Sequence, residues 1–217
     1  SLAVINVLGA FEYLVKLNPK NKALDKLKIF GLVALSKMSV AFGLIGKNSS
    51  IDLVREESPR EIVDWVNSEL GQLDGSMAID QTGEYQDWRY TRNPHLYDPH
   101  YLRVTQKLKE IGQAIVNITV DKVAYISEVK VIKEIDNTQR IQVFRHLVAY
   151  FKSKGAVMIR NWNFRNNAIS SLELSIQEKA GFVILDRGCH YVWMNLSERD
   201  LDPTKLILTR AATQGLR

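Results

Sequence analysis

The chain has 217 residues, a formal net charge of +5 and 46% apolar residues. This length and apolar fraction suffice for one hydrophobic core, or for one core with a helical extension. The basic balance favours anionic partners such as phosphorylated cofactors or nucleic acid, although an ordinary solvated surface explains it as well. The one cysteine, Cys189, excludes an internal disulfide and fits a reducing compartment. No secretory signal is evident, so we expect a cytoplasmic protein; the chain opens at Ser1 without methionine, and residues upstream could be missing.

Residues 1–50 are predicted to form a helical extension. The apolar pattern predicts helices over residues 3–17 and 23–46. Residues 29–46 are long and apolar enough to raise the question of a membrane span. Lys37 lies near the middle of that run and would be costly in lipid, so we favour a soluble or interface helix and expect no transmembrane span. Residues 1–46 should pack against the following domain, an upstream domain or another copy of the chain.

Residues 51–217 are predicted to form the second domain, in which strands and helices alternate. The short turns between three successive strands are typical of an antiparallel meander. Asp136 predicts an N-cap with Gln139 at N3, and Gly155 predicts the end of that helix. A helix between two strands implies a right-handed crossover and a parallel step. The predicted strands are 51–55, 101–108, 113–120, 123–132, 156–162, 182–186 and 190–196, and the predicted helices are 58–70, 84–91, 136–155 and 167–180.

This order indicates an α+β fold with a mixed sheet, and four segments carry a resemblance to a known family. They are residues 84–90 (Glu-Tyr-Gln-Asp-Trp-Arg-Tyr, followed by Asn93-Pro94 and Tyr97), 111–116 (Ile-Gly-Gln-Ala-Ile-Val), 126–131 (Ile-Ser-Glu-Val-Lys-Val) and 178–182 (Glu-Lys-Ala-Gly-Phe). In this order they resemble the GCN5-related N-acetyltransferase (GNAT) superfamily. More narrowly, they resemble the GNAT-type domains associated with bacterial polysaccharide biosynthesis loci.

The resemblance implies a central mixed sheet flanked by helices and an acyl-CoA-dependent N-acyltransferase that acts on an amino group of a sugar or small amine. It implies that the central strand splays from its neighbour and that its backbone pairs with the pantetheine arm of acetyl-CoA or another acyl-CoA. The following loop and helix N-terminus would hold the pyrophosphate on backbone N–H groups. Glu128 would be the base. The implied cofactor-binding residues are Val129, Val131, Asn137, Thr138, Gln139, Arg140 and Asn167.

Two departures from the family pattern leave a second hypothesis open. Residues 133–140 contain no glycine, although close approach of the backbone to phosphate favours one. Glu134 and Asp136 would repel phosphate, and Lys133 and Arg140 could offset them. Gln177 stands where many family members have a tyrosine that protonates the leaving thiolate. The chain could therefore be a catalytically silent GNAT-like binding or assembly module of a longer protein.

The remaining candidates have ordinary structural interpretations beside functional ones. Glu128 could be a strand residue paired with a lysine. Residues 88–90 (Trp-Arg-Tyr) could line an acceptor site or anchor a short helix. Residues 160–167 could bind single-stranded nucleic acid by stacking, but basic residues are not otherwise clustered, so we favour a cofactor border and expect no nucleic acid partner. The histidines, His95, His100, His146 and His190, have no convincing metal-ligand spacing, and no metal site is predicted.

Overall fold

The computed structural model describes residues 1–20, 22–44, 50–57, 77–78, 83–86, 88, 99–132, 134–161, 168–185 and 206–207. The predicted helix 58–70, most of the predicted helix 84–91, Asn167 and the strand 190–196 lie outside these residues. In chain order the elements are β1 (Leu2–Val4), α1 (Val7–Lys16), α2 (Ala23–Leu44), β2 (Ile51–Glu56), β3 (Met77–Ala78), α3 (Gly83–Gln86), β4 (Pro99–Gln106), β5 (Lys109–Ile118), β6 (Val123–Val131), α4 (Asn137–Ser153), β7 (Met158–Asn161), α5 (Ala168–Lys179) and β8 (Leu206–Ile207).

Six of the strands form one mixed sheet in the order β1-β7-β6-β5-β4-β2. The pairs β4–β5 and β5–β6 are antiparallel, as the short turns predict, and β2 also pairs antiparallel with β4. The β6–β7 pair is parallel and is joined through α4, so the predicted parallel step is confirmed. With helices flanking this sheet and a helical segment before it, the predicted α+β fold class with a mixed central sheet is confirmed. β3 and β8 form a separate parallel pair.

Helix α4 forms where its capping signals predict it. Asp136 accepts a hydrogen bond from Gln139 N, and the Gln139 side chain accepts one from Asp136 N, which completes a capping box. Gly155 follows the C-cap with a φ of 74°, a conformation that glycine adopts without steric cost. The buried stripe of α4 packs into the main core with β5, β6 and Phe182; its members are Val143, Phe144, Leu147, Val148 and Phe151.

The turn between β4 and β5 lies earlier than predicted. The turn predicted over residues 109–112 is wrong, because Lys107 and Leu108 make it, with φ values of 49° and 68°. Two-residue hairpin turns with positive φ at both positions usually contain Asn-Gly. Lys-Leu is not typical of such a turn, so the sequence did not indicate it. Gly112 lies inside β5, where an added Cβ would stand 2.4 Å from Lys130 O. Glycine at this position therefore allows β5 to approach β6 closely.

The first residues are a strand, so the predicted helix over 3–17 is wrong at its start. β1 pairs antiparallel with β7, and Leu2 also exchanges backbone hydrogen bonds with Val183. Helix α1 begins at Val7 because Asn6 caps it, accepting from Gly9 N. Residues 1–50 therefore contribute a strand to the main sheet, and the proposed domain division at residue 50 stays a prediction.

Helices α1 and α2 are joined to the sheet by a second core cluster, which includes Leu2 and Val4 of β1 and Val123 and Tyr125 of β6. Ser36 of α2 is buried; its Oγ accepts from Val4 N at 3.0 Å and donates to Leu2 O at 3.3 Å. By length and composition α2 could cross a membrane, and among the described helices it alone could. In the structure, the buried residues of α2 pack against the rest of the fold instead.

Candidate functional site

The central feature of the candidate site is the divergence of β6 from β7. Their ladder runs from Val123↔Met158 to Ile126↔Asn161. β6 continues to Val131, and β5 pairs with it over that length. On the β7 side, no strand in the part of the chain that the structure describes pairs with residues 127–131. Among the described residues, the backbone donors and acceptors on this side have no strand partner and could pair with an extended ligand, because such groups need partners.

A β-bulge at Ser127 lies where the opening begins. Glu128 is opposite Ile115 and Ile126 is opposite Val116, so Ser127 is the extra residue in β6. Residues directly opposite each other in an antiparallel pair share a face, and alternate residues along a strand do too. Ile115 and Asn117 share a face, and their partners Glu128 and Tyr125 therefore lie on one face.

The other face of β6 belongs to the main core. Ala124 and Ile126 are buried there, and Val129 and Val131 are half-buried against the same cluster. These two valines, which the resemblance implies as pantetheine-binding residues, therefore anchor the open stretch through their side chains. A ligand could therefore contact the backbone of Val129 and Val131, but not their side chains.

Glu128 is nearly fully buried, at 3% exposure. Its Oε1 lies 3.6 Å from Lys130 Nζ, so the predicted lysine pairing is present. Lys130 is opposite Gln113, whose Nε2 donates to Glu110 Oε1 at 2.8 Å. Among the described residues, buried Gln113 Oε1 and Ser127 Oγ have no hydrogen-bond partner. The role of the buried Glu128 carboxylate as a base stays a prediction.

Four of the predicted cofactor residues meet at the N-terminus of α4, directly after the open stretch of β6. Asn137 and Thr138 are exposed in the first turn. Gln139 Nε2 donates to Gln106 Oε1 at 2.9 Å, and Arg140 Nη2 donates to Ile132 O at 3.4 Å. Asp136 Oδ1 accepts from Gln139 N at 2.7 Å, so one amide of this N-terminus already has an anionic partner. An incoming phosphate would meet that carboxylate.

Glu173 of α5 is a site residue that sequence reasoning missed. Burial raises the pKa of Glu173, whereas the positive charges of Lys130 and Arg140 lower it. Lys130 belongs to the end of β6, and Arg140 belongs to the first turn of α4. No sequence signal distinguishes Glu173 from an ordinary helix carboxylate such as Glu178, because the charges that surround it come from distant segments.

Gln177 occupies the position of the family's tyrosine and is buried at 1% exposure. Ser1 Oγ donates to Gln177 Oε1 at 2.6 Å. Asn161, the last β7 residue paired with β6, donates its N–H to Ser1 O at 3.0 Å. The first residue of the chain thus lies beside the point of divergence, and the amide of Gln177 holds it.

The other candidates have structural roles or lie outside the described residues. His100 is buried, with Nδ1 2.7 Å from the Tyr150 hydroxyl and its ring edge-on to the Tyr150 ring. Trp88 is 60% exposed and contacts the Tyr85 ring. Within the described ranges, no group of three His, Cys, Asp or Glu side chains could hold a metal ion. His95, Arg89, Tyr90, His190 and Asn167 lie outside those ranges.

The comparisons with known proteins found similarity among solved structures alone. No family model matches the chain, and no curated protein does. An aminoglycoside acetyltransferase, meta-AAC0020, from an uncultured soil metagenomic sample is similar in its complex with sisomicin, at 10% identity and a TM-score of 0.46, over 67% of this chain and 97% of that one. Its complex with trehalose gives 11% identity, a TM-score of 0.46, and coverage of 68% and 98%. The C-terminal domain (DUF2156) of a putative lysylphosphatidylglycerol synthetase from Agrobacterium fabrum gives 13% identity and a TM-score of 0.32, over 73% of this chain and 44% of that one.

Proposed function

We propose that the protein is a cytoplasmic, acyl-CoA-dependent N-acyltransferase that acts on an amino group of a sugar or small amine. The observation that carries the proposal is the open backbone of β6 beyond Ile126, which leads to the N-terminus of α4. An extended pantetheine arm presents amides at a spacing that can pair with such a backbone, and a helix N-terminus favours the anionic end of the cofactor. The amino-sugar acceptor follows from the resemblance to domains of polysaccharide biosynthesis loci.

The residues present fit this cofactor at the strand and less well at the helix. Backbone groups of Val129 and Val131 would hold the pantetheine arm. Amides of Asn137 and Thr138, with the Arg140 guanidinium, would hold the phosphates against the opposing charge of Asp136. When bound, acyl-CoA supplies an acyl group activated as a thioester.

Glu128 would take the proton from the attacking amine. Its carboxylate lies on the Tyr125 face, and Lys130 Nζ is 3.6 Å from Glu128 Oε1. Acyl-CoA would supply the acyl group to the amine nitrogen, and its thiolate would leave with the electron pair of the carbon–sulfur bond. Gln177 has no acidic proton to give to that sulfur, so the thiolate would leave unprotonated or take a proton from water.

Acetyl-CoA binding and turnover test the proposal together. We expect the melting temperature to rise with acetyl-CoA concentration, following RT ln(1 + [L]/Kd). Thiol release should appear with one or more members of a panel of amino sugars, polyamines and amino acids. Glu128→Gln should lower kcat by about 10²- to 10⁴-fold with little change in Kd. Glu12→Gln, which removes an exposed carboxylate of α1, is the matched control and should keep activity.

Two observations favour a second candidate, a catalytically silent module of a longer protein. Asp136 places a carboxylate at the proposed phosphate end, and Gln177 replaces an acid. This candidate predicts no stabilisation by millimolar acetyl-CoA and no thiol release with any amine in a chain whose circular dichroism shows it folded. That pair of results would refute the transferase.

A further inference from the structure

The turn between α1 and α2 concentrates positive charge, so the expectation that basic residues are not clustered outside residues 160–167 is wrong. Residues 16–28 hold five lysines and one acidic residue, Asp25, in a chain whose total net charge is +5. The lysines are Lys16, Lys20, Lys22, Lys26 and Lys28, and all are exposed. Only Lys16 has an ion pair among the described residues, with Asp121 at 3.6 Å on the surface. This cluster is open to an external anionic partner.

Helix α2 carries two apolar faces, and one of them has no partner among the residues that the structure describes. The buried seam holds Val33, Ser36, Val40 and Gly43. On the opposite side, spacings of three, four and seven residues align a second stripe. Its large members are Leu24, Leu27, Leu35, Met38 and Phe42, each exposed between 56% and 67%. An exposed apolar row of this size indicates an interaction surface.

The basic cluster and the apolar stripe meet at the start of α2. Lys28 lies one turn after Leu24 and beside Leu27, and the exposed Leu17 lies in the turn among the lysines. Leucines that alternate with lysines favour a lipid surface over nucleic acid, since nucleic acid would use the lysines but not the aliphatic side chains. Along its 22 residues α2 is about 33 Å long, so it can lie along a membrane surface.

We propose that the outer stripe of α2 and the lysines of the α1–α2 turn bind the surface of an anionic phospholipid bilayer. The apolar side chains enter the interfacial layer, and the lysines contact the anionic headgroups. The helix lies on the membrane and does not cross it, because its seam is fixed to the sheet through Ser36 and through Gly43, where an added Cβ would stand 2.5 Å from Ala180 O. The anionic leaflet that a cytoplasmic protein meets supplies this partner.

Vesicle sedimentation with the full chain tests the proposal. We expect binding to phosphatidylcholine vesicles that contain about 30% phosphatidylglycerol, little binding to pure phosphatidylcholine, and release between about 0.1 M and 0.5 M salt. The triple variant Lys20→Glu, Lys22→Glu, Lys26→Glu should bind at least about 100-fold more weakly, since each lysine near an anionic surface is worth about 1 kcal/mol. The matched control, Lys107→Glu, Lys109→Glu, Lys152→Glu, makes the same change in charge at exposed positions elsewhere and should bind like the wild type.

A second variant separates the stripe from the charge. Leu27→Ser, Leu35→Ser, Met38→Ser keeps every lysine and should also lose vesicle binding, with folding checked by circular dichroism. Equal binding by the wild type and both triple variants would overturn the proposal, as would binding to an oligonucleotide but not to vesicles. A concentration-dependent dimer that the stripe variant abolishes, with no vesicle binding by the wild type, would assign the stripe to a second copy instead. Glu128→Gln should bind vesicles normally, so failure of the transferase proposal would not affect this result.

Discussion

The contact between α2 and the end of α5 can be tested with one substitution made at two places in the same helix. At Gly43 an added Cβ would lie 2.5 Å from Ala180 O and 2.7 Å from Gly181 Cα. Both obstacles are backbone atoms, so the helix itself must shift. At Gly31 an added Cβ would meet nothing within 4 Å. Gly31→Ala and Gly43→Ala are therefore the same chemical change in the same helix, and they differ only in what surrounds the added methyl group.

The two variants should change stability in opposite directions. Alanine in an exposed helix interior is favoured over glycine by about 1 kcal/mol, so Gly31→Ala should stabilise by about that amount. Overpacking costs about 1–3 kcal/mol, and Gly43 lies near the helix end, where the propensity gain is small, so Gly43→Ala should destabilise by about 2 kcal/mol. For a chain of this size the contrast corresponds to a difference of roughly 6–12 °C in melting temperature.

Urea and thermal unfolding, followed by far-UV circular dichroism, give both quantities. A supporting variant is Gly181→Ala, where the φ of 99° adds strain to a Cβ 2.6 Å from Ser39 O. Equal stabilisation by Gly31→Ala and Gly43→Ala would refute the packing of α2 on residues 180–181. It would also remove one of the reasons to treat residues 1–50 as joined to the main core.

Three further predictions concern titration and capping. Burial and a hydrogen bond with Tyr125 raise the pKa of Tyr13 from 10.0 to about 12, so its contribution to stability is complete below pH 10 and is lost as pH rises towards 12. Urea unfolding between these values should show a shallower decline for Tyr13→Phe, and parallel curves would contradict this. Burial raises the pKa of Glu173 above 4.5, so the folded protein loses stability as pH rises through the raised value and the carboxyl ionises. Glu173→Gln should therefore raise the melting temperature at pH 7, and this gain should shrink towards pH 4. A pH-independent gain would argue against a buried charge. Asp136→Ala should destabilise by about 1 kcal/mol through loss of the cap, whereas Asp136→Asn should cost less; equal effects in urea unfolding would contradict the capping role.

Local signals predicted the elements whose structure is decided locally. The capping box at Asp136 and Gln139 and the glycine at Gly155 bound α4 in the structure as in the sequence. The central strand, predicted over 123–132, is β6 at Val123–Val131. These features depend on neighbours within a few residues, which is the range that sequence patterns report.

The start of the chain was predicted wrongly because its partner is distant. Ala3 continues an apolar run that reads equally as helix, and the residues that make it a strand are Ile159 and its neighbours in β7. No local pattern in residues 1–17 indicates that they pair with β7. The same applies to Glu173, since the positive charges near it come from β6 and α4. Tertiary pairing decides both cases, so local propensity cannot.

The face on which Glu128 lies follows from a phase change in the β6 pattern. Strict alternation from Ala124 and Ile126 would carry Glu128 into the main core, where an ionised carboxylate is costly. The core-facing residues after Ile126 are instead Val129 and Val131, which requires one extra residue between the two apolar pairs. The bulge at Ser127 supplies that residue. It removes Glu128 from the core, and it lies where β6 leaves β7, so the buried carboxylate and the open backbone have one structural cause.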